Sequence, residues 1–230
     1  MWLNNSSIGR KVVMSISGIA LVLFLTFHAC MNVVALISAD GYNAICKFLG
    51  SNWYAVAGTL VLVALIAIHF VYAIILTLQN RKARGQNRYA VSSKPDKVEW
   101  ASQNMFVLGV IILLGLCLHL YDFWYNMMCA ELAGSAPHVV NGVAFDPTNG
   151  AGLIAAKFGN PIICVIYLIW FAAIWFHLSH GFWSALQTLG WNGKVWFNRW
   201  RCIGIAWVTI VMLLFACVAI VFGIQGLAAK

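Results

Sequence analysis

Five long apolar runs constrain this chain more than any other feature of its sequence. A transmembrane helix needs about 20 predominantly apolar residues, and runs of that length recur along most of the chain. Charged residues make up 9% of the chain and the mean hydropathy is +0.86, whereas soluble domains carry about 25% charged residues. The sequence therefore predicts an all-α, polytopic membrane protein, with one transmembrane domain over residues 1–230. The predicted spans of this five-helix bundle are about 12–37, 53–78, 100–128, 161–189 and 202–227.

Basic residues are concentrated in the segments on one side of these spans. Eleven of the 14 Lys and Arg residues fall on that side: Arg10, Lys11, Arg81, Lys82, Arg84, Arg88, Lys94, Lys97, Lys194, Arg199 and Arg201. The other side carries Lys47, Lys157 and Lys230. By the positive-inside rule, the N-terminus is expected in the cytoplasm and the C-terminus outside. The formal charge of +8 thus indicates topology, and no nucleic-acid partner is expected.

Four of the six histidines lie inside four different apolar runs: His28, His69, His119 and His177. Each is about 22–28 Å along its predicted span at the helical rise per residue. The spans of His28 and His119 start inside, so these two histidines lie toward the outer side. The spans of His69 and His177 start outside, so these two lie toward the cytoplasm. The sequence therefore predicts two histidine pairs at two depths.

Histidines at membrane depth are costly unless they bind something, which makes them candidates for a functional site. Two stacked pairs could supply both axial ligands of two b-type haems enclosed by a helical bundle. The chain has no Cys-x-x-Cys-His motif for covalent haem attachment. A single histidine in a span is often only a hydrogen-bonding group between helices. Zinc is less favoured, because it prefers acidic or thiolate co-ligands at one point, and a proton relay or transporter would need more embedded acids.

Short motifs accompany each of the four histidines. They are Arg10-Lys11 with Ser17-Gly18, Phe24-Leu25-Thr26-Phe27-His28 with Asn32, Ile68-His69-Phe70-Val71-Tyr72, Leu118-His119, and His177-x-x-x-Gly181-x-Trp183-Ser184. In order and spacing, over nearly the whole chain, they resemble the membrane anchor cytochrome b of succinate dehydrogenases and fumarate reductases. The resemblance is to the type in which a single five-helix subunit carries two haems.

This resemblance implies that His69 and His177 ligate the haem b nearer the cytoplasm, and His28 and His119 the haem b nearer the outside. It also implies an iron–sulfur subunit and a flavoprotein subunit as partners, the flavoprotein holding the dicarboxylate site. The chain itself would be the quinone-reactive electron-transfer subunit in a bacterial inner membrane, with menaquinone as the expected quinone. Whether the complex oxidises succinate or reduces fumarate stays open.

Two positions depart from the family pattern. His180 stands where family members often carry asparagine, and because it lies three residues from His177 it could exchange with that residue as a ligand or contact a haem propionate. No glutamate directly precedes His177, although some di-haem fumarate reductases carry one there for transmembrane proton transfer. That proton route is therefore not expected in this chain.

Several further residues are candidates for roles around the haems. Asp122 and Glu131 are the acids nearest the outer pair and could exchange protons with quinone. The propionates could be bound by Ser17, Asn32, Arg10 and Lys11. The basic loop 81–97 and the turn 194–201 either form the docking face for the iron–sulfur subunit or only set topology. The alternatives are a di-haem cytochrome b of a hydrogenase, formate dehydrogenase or nitrate reductase, and a haem-free transporter.

Overall fold

Five long apolar helices dominate the computed structural model, which describes residues 6–84, 99–134, 138–140 and 143–228. The five segments long and apolar enough to cross a membrane are Ser7–Ile37, Trp53–Ala83, Met105–Leu132, Pro161–Thr188 and Trp196–Ala228. The prediction of an all-α, multi-pass membrane protein is confirmed.

The described elements follow one another in this order: α1 (Ser7–Ile37), α2 (Ala39–Phe48), α3 (Trp53–Arg84), α4 (Trp100–Gln103), α5 (Met105–His119), a π-helical segment (Leu120–Cys129), α6 (Ala130–Leu132), β1 (His138–Val140), β2 (Val143–Phe145), α7 (Gly150–Phe158), α8 (Pro161–Thr188) and α9 (Trp196–Ala228). The two short strands pair antiparallel, with His138 opposite Phe145.

Side-chain caps fix where several helices begin. Ser6 accepts a hydrogen bond from the amide of Gly9 at 2.9 Å, and Ser38 accepts one from Gly41 at 3.0 Å. Asn149 and Asn160 cap α7 and α8 in the same way. Because these side chains satisfy amides that have no partner inside the helix, they define the helix starts.

The helix bounds differ from the sequence prediction mainly at the ends that carry the basic residues. Arg10 and Lys11 lie inside α1, α3 continues through Arg84, and α9 already begins at Trp196. A helix can continue through charged residues after it leaves the apolar layer. Hydropathy therefore locates the apolar part of a helix but not the residues at which the helix begins and ends. The short helices α2 and α7 lie outside the five predicted spans. Residues 85–98, which include Arg88, Lys94 and Lys97, lie outside the described residues, as does Lys230.

The third span, predicted as one continuous stretch, changes helical type along its length. Asn104, with φ −108° and ψ 11°, separates α4 from α5, and the π-helical segment follows directly after His119. The side-chain amide of Asn126 donates to the carbonyls of Tyr121 and Asp122, at 2.9 and 3.0 Å. The wider π-helical turns bury Asp122 and Asn126. π-helical turns are rare and are often found at functional sites.

The core of the bundle lies where α8 and α9 pack against each other and against α1. Its most completely buried side chains include Tyr167 and Val208. Many large apolar side chains, such as Val61 on α3 and Ile169 on α8, are more than half exposed on the outer surface of the helices. In a membrane protein such surfaces face lipid, so this exposure fits five spanning helices.

Candidate functional site

One histidine pair, which the sequence predicts on the outer side and which is called the outer pair below, joins α1 to the end of α5. The ring centroids of His28 and His119 are 5.8 Å apart, with an angle of 83° between the ring planes. Phe24 stacks on His28 one helical turn earlier, with centroids 5.5 Å apart, and Phe215 from α9 packs on its side at 5.6 Å. Three helices therefore enclose this pair in aromatic surroundings.

The second histidine pair, predicted nearer the cytoplasm and called the inner pair below, joins α3 to α8. The ring centroids of His69 and His177 are 6.4 Å apart, with an angle of 69° between the ring planes. The structure thus brings together the same two pairs that the depth of the histidines along the spans predicts.

The separation within each pair suits one metal ion bound between two imidazoles. A histidine nitrogen binds a first-row transition metal at about 2 Å, which places two opposed ring centroids about 6 Å apart. Ring packing without a metal covers about 4.5–7 Å, so the distance alone fits both arrangements. The hydrogen bonds of the ring nitrogens and the space around the rings bear on the choice.

Each pair contains a buried ring nitrogen without a protein partner. Among the described residues, the Nδ1 atoms of His119 and His177 are buried and accept or donate no hydrogen bond. A buried polar atom left in this state costs free energy, and native proteins contain few of them. Each pair therefore holds one imidazole with a ring nitrogen that the described protein groups leave unsatisfied.

His69 is oriented by a hydrogen bond from the neighbouring helix. Ser17 Oγ donates to the carbonyl of Met14 at 3.0 Å and lies 3.1 Å from His69 Nδ1. Because the serine proton is used on Met14, Nδ1 is the donor in the second bond, and the lone pair of the neutral ring is then at Nε2. A second hydrogen bond of this kind is what fixes the tautomer and orientation of metal-binding histidines.

Two glycines let the rings of the inner pair approach neighbouring helices. A Cβ added at Gly18 would lie 3.2 Å from His69 Cε1, and one at Gly109 would lie 3.8 Å from His177 Cε1. Any side chain beyond a methyl group at these two positions would collide with the rings. The absence of a side chain at Gly18 on α1 and at Gly109 on α5 therefore makes room for the two imidazoles.

No group of three or more His, Cys, Asp or Glu side chains suited to a metal ion occurs in the part of the chain that the structure describes. A structural zinc site needs about four such ligands. A haem needs only two axial protein ligands, because its porphyrin supplies the rest. The residues at both pairs fit a bis-histidine haem.

His180 is held by groups at the start of α4 and on α8. Its Nδ1 lies 2.9 Å from Glu99 Oε2, and Glu99 also forms an ion pair with Arg201. The ring of His180 packs edge-on against Trp183. His180 is close to His177 in the sequence, but its described partners are different. They are the carboxylate of Glu99 at the start of α4 and the ring of Trp183.

The other predicted propionate partners have mixed surroundings. Asn32 donates from Nδ2 to the carbonyl of His28 at 2.8 Å and accepts from the Tyr42 hydroxyl at 3.1 Å. Asn32 is thus engaged between α1 and α2. Lys11 is exposed near the start of α1, and Arg10 is partly buried there.

The two predicted quinone-proton acids have different surroundings. Glu131 accepts hydrogen bonds from the amide and the hydroxyl of Ser51, at 3.2 and 2.9 Å, which ties α6 to the start of α3. Asp122 is buried, and it pairs with Lys157 at 2.7 Å and accepts from the Tyr167 hydroxyl at 3.1 Å. Sequence reasoning missed Lys157, because the helix that carries it was not predicted. It also missed Tyr167, because its contact with Asp122 depends on how α8 packs against the π-helical segment.

Replacing Ser17 with alanine tests whether orientation of His69 matters for ligand binding. Loss of such a supporting hydrogen bond typically costs about 10–100-fold in affinity for the bound group. We expect Ser17→Ala to weaken haem binding at the inner pair by about tenfold or more, measured by haem titration of the stripped protein. Ser15→Ala, a change at another buried serine of α1, is the control. An equal loss in both variants would contradict a specific role for Ser17.

Comparison with known proteins gives no relative: no family model, no curated protein and no solved structure matches this chain.

Proposed function

We propose that this chain is the membrane anchor cytochrome b of a succinate:quinone oxidoreductase, either a succinate dehydrogenase or a quinol:fumarate reductase. The observation that carries the proposal is the presence of two separate histidine pairs, each with its members on two different spanning helices and with ring centroids 5.8 and 6.4 Å apart. The sequence motifs around these histidines support the same family.

The residues that would hold the two haems are the four paired histidines. His28 and His119 would ligate the outer haem b, and His69 and His177 the haem b nearer the cytoplasm. When bound, the two haems supply one-electron transfer between a membrane quinone and the iron–sulfur subunit. Ligation by two histidines would leave the haem iron without an open position for oxygen chemistry.

The surrounding side chains contribute orientation and exclusion of water. Ser17 holds the tautomer of His69, while Phe24 and Phe215 cover the ring of His28. Aromatic and aliphatic surroundings of this kind keep the local dielectric low, which is one way in which a protein sets a reduction potential. These contacts support an electron-transfer role for the pairs.

The proposed orientation places the N-terminus in the cytoplasm of a bacterium and the protein in its inner membrane. The turn 194–201 and the basic loop 81–97 would then face the iron–sulfur subunit. In the first turns of α9, which make up most of this segment, Arg199 lies over the ring of Trp196 and Arg201 pairs with Glu99. The greater part of the loop, residues 85–98, lies outside the described residues.

Purification of the tagged chain from its own membranes in mild detergent tests this assignment. We expect an iron–sulfur protein and a flavoprotein to copurify, and the complex to couple succinate oxidation or fumarate reduction to a menaquinone analogue. Copurification with a hydrogenase, formate dehydrogenase or nitrate reductase subunit, with no succinate or fumarate turnover, would contradict it. Recovery of the chain free of haem and of both subunits would also contradict the proposed assignment.

A further inference from the structure

The buried ion pair between Asp122 and Lys157 is unusual for a chain this apolar. The carboxylate lies in the π-helical segment and the ammonium on α7, with side-chain exposures of 4% and 13% and a separation of 2.7 Å. Burying two charges is costly even when they pair, and the gain in stability over an apolar pair is often nil. Such a pair calls for an explanation other than stability.

Its surroundings connect the pair to His119. Tyr167 donates its hydroxyl proton to the second oxygen of Asp122 at 3.1 Å, and the ring of Tyr167 packs against the ring of His119 with centroids 6.3 Å apart. Phe123 packs on both rings, at 5.3 Å from His119 and 6.0 Å from Tyr167. Tyr167 therefore contacts both the carboxylate of Asp122 and the ring of His119 in the outer pair.

The two charges differ in how they are linked to the outer histidines. Asp122 lies three residues after His119 on the same span, and both contact Tyr167. Lys157 is the more exposed member of the pair, and its Nζ lies 5.6 Å from the ring centroid of the exposed Tyr121. The carboxylate is thus the member of the pair that shares a contact residue with the outer histidines.

We propose that Asp122, Lys157 and Tyr167 form a positioning network that sets the reduction potential of the outer haem site relative to the inner one. A fixed negative charge favours the ferric state of a nearby haem iron, because that state carries one more positive charge. The carboxylate therefore lowers the potential of the outer site, and the ammonium limits that effect. The π-helical segment is what places Asp122 inside the bundle to do this. The inference rests on the proposed function, since it needs a haem at His28 and His119.

The test is a spectroelectrochemical titration of the purified protein with both haems bound. Asp122→Asn removes the negative charge and is expected to raise the midpoint potential of the outer haem. At a fixed applied potential, the ratio of reduced to oxidised outer haem is expected to change on the order of tenfold. This change corresponds to a midpoint shift of ~59 mV for a one-electron couple. Lys157→Met is expected to shift the same midpoint in the opposite direction. The midpoint of the inner haem should stay unchanged in both variants.

Asp146→Asn is the matched control, because it removes a carboxylate charge from the same side of the protein. Asp146 is exposed, and hydrogen bonds from the Thr148 amide and hydroxyl lower its pKa, so its charge is present at neutral pH. This variant should move neither midpoint. Unchanged midpoints in Asp122→Asn and Lys157→Met, or shifts of the same sign in both, would overturn the network's role.

Loss of the outer haem from both variants would likewise overturn the role in setting the potential, and would leave only a structural role for the ion pair. If instead the wild-type protein binds no haem, the proposed function fails. Haem content of the wild type therefore separates the two failures.

Discussion

Replacing His69 with alanine is expected to remove one of two b haems and leave the other in place. His69 and His177 would together hold this haem, so removal of His69 would leave it with one histidine of the pair. His28 and His119 belong to different surroundings on α1 and α5, so their site should survive. Haem stoichiometry by pyridine haemochrome should fall from two to one per chain, and His28→Ala should remove the other haem.

His180→Ala is the control for this experiment, because it removes an imidazole three residues from His177. In the structure His180 contacts Glu99 and Trp183, and we expect both haems to remain in this variant. Loss of a haem from His180→Ala together with retention of both haems in His177→Ala would show that the ligand assignment on α8 is wrong.

Gly115→Ala is expected to destabilise the bundle and disturb the outer histidine pair. A Cβ at Gly115 would collide with the indole ring of Trp170, which is held in place by a hydrogen bond from Nε1 to the carbonyl of Ile112 at 3.1 Å. The same indole packs on His119 with centroids 5.8 Å apart. Overpacking of this kind costs about 1–3 kcal/mol. Thermal unfolding in detergent should show a lower midpoint, and the displaced indole should weaken retention of the outer haem.

Gly58→Ala is the matched change at a site with room. A Cβ at Gly58 on α3 would meet no atom within 4 Å, and alanine favours helix over glycine by about 1 kcal/mol. We expect equal or greater stability and unchanged haem content. A loss of stability at Gly58 as large as that at Gly115 would mean that the contact with Trp170 is not the cause.

Hydropathy and charge were enough to predict the five spans, because the length and composition of a spanning helix are set by the bilayer and not by tertiary contacts. The depth of each histidine followed from the helical rise, and the structure places the histidines together in the pairs so obtained. Depth fixes only the coordinate along the membrane normal. Which helices are neighbours depends on side-chain packing that periodicity does not encode.

The surroundings of Asp122 could not be obtained in the same way. A change from α to π turns after His119 rotates every later residue of the span, and no residue pattern in the sequence marks it. The partners Lys157 and Tyr167 come from α7 and α8, which are distant in the chain. Glu131, a candidate beside Asp122 for proton exchange with quinone, accepts hydrogen bonds from Ser51 and so links α6 to the start of α3. These contacts depend on tertiary structure alone.

The central claim is that the two histidine pairs hold two non-covalent b haems. The most direct test is a dithionite-reduced minus oxidised visible spectrum of the purified chain, with haem counted by pyridine haemochrome. We predict the spectrum of bis-histidine b haem and two haems per chain, all extracted by acidified acetone because none is covalently bound. A protein purified intact from its own membranes without haem, or with a haem that acid acetone does not extract, would contradict the account.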